Sequence, residues 1–476
     1  MALLARAQEI VKRAKLDSSH LLPANIRDLT GYAARPLQTE LERALRRFNS
    51  FALHRRFGKT VLEVNRLIER AVYCPFDEGR YAYLAPTYAM AEDIAWHYLL
   101  SYTKNFVGRQ VELAKLSIWL PTYRGDRSRI RLYGTDSPKQ RLRGLYLDGV
   151  VFDEWAHIPP FVWTEQVRPM LSDQNRQGFD DQGNPNQWAD FIFTPFGRNH
   201  AYRYHRDATL WSQGLAVVRQ AGDQQEVIRR NDWNAALYRA SETGIISETE
   251  LRDAFFDMGP SKYEQEFECS FEAAVEGAIY ARELEFLRKE GRVSRVPYIP
   301  LIPVHTCWDL GHDAATAIWF FQQVGDMVHW IDYFEASGEG LAFYADVLEE
   351  KKYLYGRHYL PHDVEVTELG SGKTRAASLR ELGIRPSIVP KSNLEDGINA
   401  TRNMLMRSVF DASACSEGLD RLALYRREKN EKLGTFRKKP VEDWASHGAD
   451  ALRTGAVGVR RRWGRGDPSD SSVGEY

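Results

Sequence analysis

The stretch Leu53-His54-Arg55-Arg56-Phe57-Gly58-Lys59-Thr60 follows an apolar run, Phe48 to Leu53, and ends in Gly-Lys-Thr. A loop that binds phosphate needs backbone N–H groups at a helix N-terminus, a lysine for the β- and γ-phosphates and a hydroxyl for Mg²⁺. Gly58, Lys59 and Thr60 supply these parts. Leu53 stands where the usual pattern has its first glycine, so the stretch alone also reads as a solvated turn that opens a helix. What surrounds it decides between the two.

Upstream, Pro36-Leu37-Gln38 leads into a predicted helix over 39–47, and the amide of Gln38 can meet an adenine edge with one donor and one acceptor. Downstream, Val61, Leu62, Val64, Leu67, Ile68 and Ala71 recur at helical spacing over 61–73, which predicts a helix packed on a sheet. A second strand over 81–87 and a helix over 90–106 follow. Strand and helix in alternation imply a right-handed parallel sheet, whose ligands sit at the carboxyl ends of the strands, where the loop falls.

Leu147-Asp148-Gly149-Val150-Val151-Phe152-Asp153-Glu154 runs from apolar residues into two acids, the pattern of a buried parallel strand whose tip carries carboxylates. Asp153 can hold Mg²⁺ and Glu154 can orient and deprotonate an attacking water. A strand ending in a helix-capping aspartate reads the same way in isolation. Joined to Gly58-Lys59-Thr60 on a β/α background, the acids point to nucleotide hydrolysis. A third strand, Trp188 to Phe193, ends at Thr194, whose hydroxyl either reports on the γ-phosphate or belongs to a plain turn.

A chain of 476 residues is expected to hold two or three domains of about 100–200 residues. Its 43% apolar and 27% charged residues are those of a soluble globular protein, without a membrane span. The N-terminus lacks a secretory core and cleavage site, so the chain is expected to stay in the cytoplasm. Cys74, Cys269, Cys307 and Cys415 are scattered and read as buried thiols, with neither a zinc site nor a disulfide framework. The net charge of −1 hides two basic clusters, Arg124 to Arg143 and Arg426 to Lys439, each either a phosphate-backbone patch or a solvated face.

The second half changes period. Residues 201–295 read as lid and linker, and Pro297, Pro300 and Pro303 mark the expected boundary. Val304 to Asp309, Thr316 to Gln322 and Met327 to Phe334 then read as an antiparallel meander, followed by a helix over 340–355 and a strand over 357–361. That is the opening order of an RNase H-like fold, which gathers carboxylates from its first strand, fourth strand and a late helix around a metal pair. Asp309 and Asp363 end the first and fourth strands. In a late helix over 441–457, Asp443, His447 and Asp450 fall on one face. Taken singly, each aspartate also reads as a cap or turn residue.

Together these residues resemble the large terminase subunits of tailed bacteriophages. Arg55-Arg56-Phe57-Gly58-Lys59-Thr60, Val150-Val151-Phe152-Asp153-Glu154, and Thr194-Pro195-Phe196-Gly197 with Asn199-His200 are similar to that family's ATPase motifs, and Tyr263 to Phe271 to its connector. Trp308-Asp309-Leu310-Gly311, Leu360-Pro361-His362-Asp363 and Ser446-His447-Gly448-Ala449-Asp450 are similar to its nuclease motifs. The resemblance implies an α/β chain with a P-loop, RecA/ASCE-like ATPase over 1–200, the lid and linker, an RNase H-like nuclease over 296–458 and a disordered tail over 459–476.

It further implies ATP and Mg²⁺ as cofactors, with Mn²⁺ possible for the nuclease. Arg55 becomes the loop's arginine and Arg143 an arginine finger, with a DNA-facing or salt-bridged arginine as the alternative. Asp309, Asp363 and Asp450 become metal ligands, with Asp313 and Asp443 as extras or, more simply, turn and cap residues. The implied partners are double-stranded DNA, the portal protein and procapsid, and a small terminase subunit, with the chain in a ring on the portal. Two rivals stand beside this reading: a nuclease-linked helicase of repair or defence type, and a non-catalytic capsid or DNA-binding component.

Overall fold

A computed structural model describes residues 22–463 except 24, 137–145, 180–182, 184, 222–223, 273–274, 312–314, 367–371 and 431–434. The chain divides into two compact units, Met1–Ala273 and Ala274–Tyr476. The elements of the first are α1 (Pro36–Arg43), β1 (Phe48–Leu53), α2 (Lys59–Val72), β2 (Arg80–Ala85), β3 (Gln110–Glu112), β4 (Ser117–Pro121), β5 (Arg127–Gly134), β6 (Gly149–Asp153), β7 (Trp188–Phe193), α3 (His200–Ser212), β8 (Val217–Ala221), β9 (Gln224–Ile228) and β10 (Trp233–Tyr238).

The first unit is built on one sheet in the order β10-β1-β7-β6-β2-β5-β4-β3. From β10 to β5 the neighbours run parallel, and β4 and β3 extend the edge antiparallel. Every residue of β1, β6 and β7 is buried, as central parallel strands require, including the polar Asn49, Ser50 and Asp190. α2 lays Leu62, Val64, Leu67 and Ile68 into the core on one side of the sheet. β7 separates β1 from β6, so the loop after β1 and the acids after β6 flank the tip of β7.

Sequence periodicity passes over β10. The strand sits inside the segment expected as lid and linker, yet pairs residue for residue with β1, from Phe48–Trp233 to Leu53–Tyr238. Only Trp233 of β10 is buried, so its alternation is weak, and the aromatic contacts of Trp233 with Phe48 and Phe191 anchor it instead. The helix expected over 90–106 is three short pieces, Tyr88–Met90, Ala91–Trp96 and His97–Tyr102, the middle one with π-helical winding.

Of the first basic cluster, Arg127, Arg129 and Arg131 lie on β5, and Lys139, Arg141 and Arg143 lie outside the described residues. Ser128, Ile130 and Leu132 are buried, while Arg129 and Arg131 lie over the rings of Trp119 and Tyr133.

The second unit contains β11 (Val293–Ser294), β12 (Val304–Asp309), β13 (Ala315–Val324), β14 (Met327–Ser337), α4 (Leu341–Lys351), β15 (Tyr355–Pro361), β16 (Pro386–Val389), α5 (Leu394–Leu405), β17 (Ser408–Asp411), α6 (Ser416–Leu424), β18 (Arg427–Asn430), β19 (Thr435–Pro440) and α7 (Ser446–Trp463). Its main sheet runs β11-β17-β14-β13-β12-β15-β16. The meander of β12, β13 and β14 is antiparallel, and β15 adds to β12 in parallel, as the sequence order predicts. The chain is thus mixed α/β in both units, a largely parallel sheet in the first and a mixed sheet built on an antiparallel meander in the second.

Three expectations change here. The proline segment is no free linker: Gln322 is buried in β13, accepts a hydrogen bond from Ile299 N and donates to the carbonyls of Ile299 and Ile302. Leu284 and Leu287, expected in the linker, lie in the core of the second unit. α7 begins at Ser446 and continues to Trp463, so residues 459–463 of the expected tail are helical, and 464–476 lie outside the described residues.

α7 packs closely on the sheet because it has no side chain where it crosses it. A Cβ on Gly455 would stand 2.7 Å from Cys307 Sγ, and one on Gly458 would stand 2.5 Å from the Tyr359 ring. All four cysteines are buried and free. Among the described residues no helix is long and apolar enough to cross a membrane.

Candidate functional site

Gly58 turns the chain at φ +92° into α2, a left-handed conformation that glycine adopts without a Cβ penalty. The first helical residues, Lys59 and Thr60, therefore point back across the sheet edge. Lys59 Nζ lies 2.9 Å from Glu154 Oε1 and donates to Thr194 Oγ1 at 2.7 Å. Thr60 Oγ1 donates to Asp153 Oδ2 at 3.1 Å. Lysine, hydroxyl, both acids and the threonine at the tip of β7 thus form one connected cluster.

The electrostatics follow from burial and mutual charge. Burial disfavours the Lys59 ammonium, but Glu154 and Asp153 outweigh it and raise Lys59 above its ordinary value. Burial likewise opposes an ionised Glu154, yet Lys59 holds that carboxyl below the usual range. Asp153 is pushed up by burial and by Glu154. The two neighbouring carboxyls are thus shifted in opposite directions, Glu154 down and Asp153 up, and a divalent cation at Asp153 would favour its charged form.

Glu154 has φ +51°, uncommon for a residue with a side chain. Its turn is held by Asp153 Oδ1, which accepts from Glu154 N at 2.9 Å, and by the segment after β7. There Asn199 Nδ2 donates to Ala156 O at 2.9 Å, and His200 Nε2 bonds Trp155 O at 3.0 Å. Asn199-His200, singled out in the sequence by resemblance alone, braces the turn that aims the acid.

Gln38 sits beneath the loop rather than beside it. Its Nε2 donates to Gly58 O at 3.1 Å, and its Oε1 accepts from Arg35 N at 2.9 Å and from the Tyr32 hydroxyl at 3.3 Å. The nitrogen of the amide expected at the adenine thus holds the loop, and its oxygen holds the segment before α1. Arg55 is exposed, and its backbone N–H donates to Glu266 O at 2.8 Å, so the expected connector backs the loop. Arg143 lies outside the described residues. One participant was missed: the Tyr83 hydroxyl on β2 donates to Asp153 Oδ2. A tyrosine in a strand beside β6, opposite Val151, was its only signal.

In the second unit, Asp309 ends β12 and Asp450 stands on α7. His447 Nδ1 lies 3.0 Å from Asp309 Oδ2. Asp450 Oδ1 pairs with Arg453 Nη1 at 2.8 Å and accepts from the Tyr425 hydroxyl at 3.2 Å. Burial pushes the Asp450 carboxyl up to about 6, against the charge of Arg453 and with Asp309 adding to the rise. Burial opposes a charged His447, but the hydrogen bond and charge of Asp309 lift it above its ordinary value.

Asp309 and Asp450 are thus brought together, with His447 between helix and strand. Asp363 is on an exposed 3₁₀ turn following β15, the parallel neighbour of β12. Among the described residues no group of three or more His, Cys, Asp and Glu is gathered to hold a metal ion. The expected three-carboxylate cluster is therefore not gathered among the described residues: Asp309 and Asp450 act on each other through charge, and Asp363 ends on an exposed turn.

Asp443 precedes α7 instead of riding on it. It caps Ala445 N at 2.9 Å and pairs with Arg426 Nη1 at 2.8 Å. Asp313 lies outside the described residues. The second basic cluster is in part neutralised, through Arg427–Glu395, Arg437–Glu428 and Lys439–Glu442.

No protein-family model matches the chain. It is 29% identical over 192 residues to the large terminase subunit of Thermus virus P23-45, a match covering 37% of this chain and 37% of that protein. The similarity is to large terminase subunits. The same identity and coverage hold for the large terminase subunit of Thermus phage G20c, so the chain spans 37% of the length of the curated relatives it matches. Among solved structures, the large terminase of a thermophilic bacteriophage aligns at TM-score 0.38 and 16% identity, covering 93% of this chain and 97% of that one. The HK97 bacteriophage large terminase aligns at TM-score 0.44 and 11% identity, covering 90% and 95%. The Thermus phage P74-26 large terminase ATPase domain aligns at TM-score 0.41 and 22% identity, covering 52% and 98%.

Proposed function

We propose that this chain is a large terminase subunit, an ATP-driven motor that moves double-stranded DNA into procapsids and a metal-dependent endonuclease that cuts concatemeric DNA. The observation that carries the first half is the Lys59–Glu154, Lys59–Thr194 and Thr60–Asp153 cluster at one sheet edge. Lys59 and the α2 N-terminus bind the phosphates, and Thr60 and Asp153 would hold Mg²⁺, which when bound neutralises phosphate charge. Glu154, kept ionised by Lys59, is the base that takes a proton from the attacking water. Thr194 reports the state of the γ-phosphate to β7, and Arg55 and Arg143 supply cationic charge to the phosphates.

For the nuclease half, Asp309 and Asp450 are the oxygen donors placed together for a divalent ion, with Asp363 as the third acid. The DNA, the portal protein, procapsid and small terminase subunit, a ring on the portal and a host-cytoplasmic location belong to the same proposal.

DNA packaging into empty shells by this protein with its portal tests the reading. Protected full-length DNA that depends on ATP supports it. ATP hydrolysis with no protected DNA would favour a nuclease-linked translocase instead.

A further inference from the structure

Three carboxyl groups of the first unit are fully buried outside the nucleotide cluster, each 0% exposed: Asp148 just before β6, which pairs with Arg176, Glu63 on α2 and Asp190 on β7. Asp190 is well partnered. Its Oδ1 accepts from Asn49 Nδ2 at 2.7 Å, and its Oδ2 pairs with Arg66 Nη1. The Arg66 guanidinium lies 4.2 Å from the Trp188 ring centre.

Glu63 is different. Neither of its oxygens meets a hydrogen-bond donor, although Asp190 is within hydrogen-bonding reach. Ionised carboxylates only accept, so two of them cannot bond one another, and one arginine balances a single negative charge. A proton on Glu63 resolves both problems: it makes Glu63 the donor to Asp190 and leaves one carboxylate for Arg66. Burial and the Asp190 charge, acting against Arg66, also raise Glu63 well above the carboxylate range. The remaining groups that act on Glu63 are Asp153 at the end of β6 and Tyr32 ahead of α1.

The placement ties this pair to the nucleotide cluster. Lys59, Glu63 and Arg66 follow one another at i, i+4 and i+7 on one face of α2. Lys59 meets Thr194 just beyond β7, and Arg66 meets Asp190 within it. Helix and strand are thus fastened at two points about two turns apart.

We propose that Glu63 and Asp190 share one proton and one negative charge and, with Arg66, clamp α2 to β7 so that Lys59 meets Thr194 in the register needed for hydrolysis. They are positioning residues, and this role rests on the ATPase reading above. Asp190→Asn leaves Glu63 free to ionise and take over Arg66. Glu63→Gln keeps a donor for Asp190. Only the double variant leaves Arg66 with no carboxylate.

The test is a double-mutant cycle on the full chain. Each single variant is expected to lower kcat for ATP by roughly threefold or less, and the double variant by roughly 10- to 100-fold, with KM moving far less. In parallel, infrared spectra without nucleotide should contain a protonated-carboxyl band that Glu63→Gln removes, a measurement that needs no folded double variant. A folded double variant with the parental kcat, or a wild-type spectrum with no such band at neutral pH, overturns the proposal. The band without any ATP hydrolysis by the wild type overturns the ATPase reading and the positioning role, while the shared proton stands.

Discussion

Lys59 Nζ stands 2.9 Å from Glu154 Oε1, so the lysine of the phosphate loop and the acid proposed to activate water close on each other across the tip of β7. On the proposed function, phosphate oxygens would compete for the same ammonium and so release Glu154 to act on water. Glu154→Gln removes the base while retaining shape. Phosphate release is expected to fall by roughly 10²- to 10⁴-fold with nucleotide binding retained, as read by steady-state kinetics and a binding titration. Parental turnover in this variant would defeat the assignment.

Tyr83 donates its hydroxyl to Asp153, the acid proposed to hold the cation with Thr60. In Tyr83→Phe the buried carboxylate loses a donor, and removing one hydrogen bond to a charged group costs about 1.5–3 kcal/mol. Metal titration of ATPase activity is expected to shift, with a weaker apparent affinity for Mg²⁺ and a smaller change in kcat at saturating Mg²⁺.

Gly455 faces Cys307 so closely that a Cβ would sit 2.9 Å from the cysteine Cβ. Gly455→Val forces α7 off β12, and overpacking of this kind costs about 1–3 kcal/mol. Because α7 carries Asp450 and β12 carries Asp309, DNA cleavage should fall further than thermal stability does. ATP hydrolysis by the first unit, measured on the same preparation, should be much less affected.

Asp309→Asn, Asp450→Asn and Asp363→Asn are each expected to abolish DNA cleavage in Mn²⁺, and chelation should abolish it in the parent until metal is restored. Asp363 is exposed, so its replacement should leave the melting temperature within about 1 °C of the parent. Full cleavage by Asp363→Asn would remove that residue from the site.

His205 and His358 are both buried, and burial lowers each from 6.5 to about 4. The native state excludes a proton that the unfolded chain takes up below about pH 6.5. Their contribution is therefore complete above that pH, is lost as pH falls toward about 4, and levels off below. Each steepens the acid side of the stability curve by up to about 1.4 kcal/mol per pH unit. Calorimetry of His205→Gln across that window should show a shallower acid limb than the parent.

Much of the first unit was legible because its signals are local. The bounds of β1 and β7 coincide with their apolar runs, since central parallel strands are buried on both faces. Gly58, Lys59 and Thr60, and Asp153 and Glu154, could be paired in advance because each group sits at a strand end within a few residues. β10 could not be read, because its pairing with β1 spans well over a hundred residues and only Trp233 is buried. Nor could the fate of the basic clusters, where strand alternation and distant acids absorb charges that look free in sequence.

The order of elements and the kinds of side chain at their tips are written in the chain itself: a lysine loop, a strand ending in two acids, and a meander whose first strand ends in aspartate. These follow from backbone periodicity and from the residues that turns and strand ends accept. Which tips meet is a matter of the folded arrangement alone. It set Lys59 against Glu154 and Tyr83 against Asp153, put Gln38 against the carbonyl of Gly58, and brought Asp309 within electrostatic reach of Asp450 while leaving Asp363 on an exposed turn. Such meetings depend on sheet order and on how closely a glycine-faced helix can approach, distances that no local run of residues encodes.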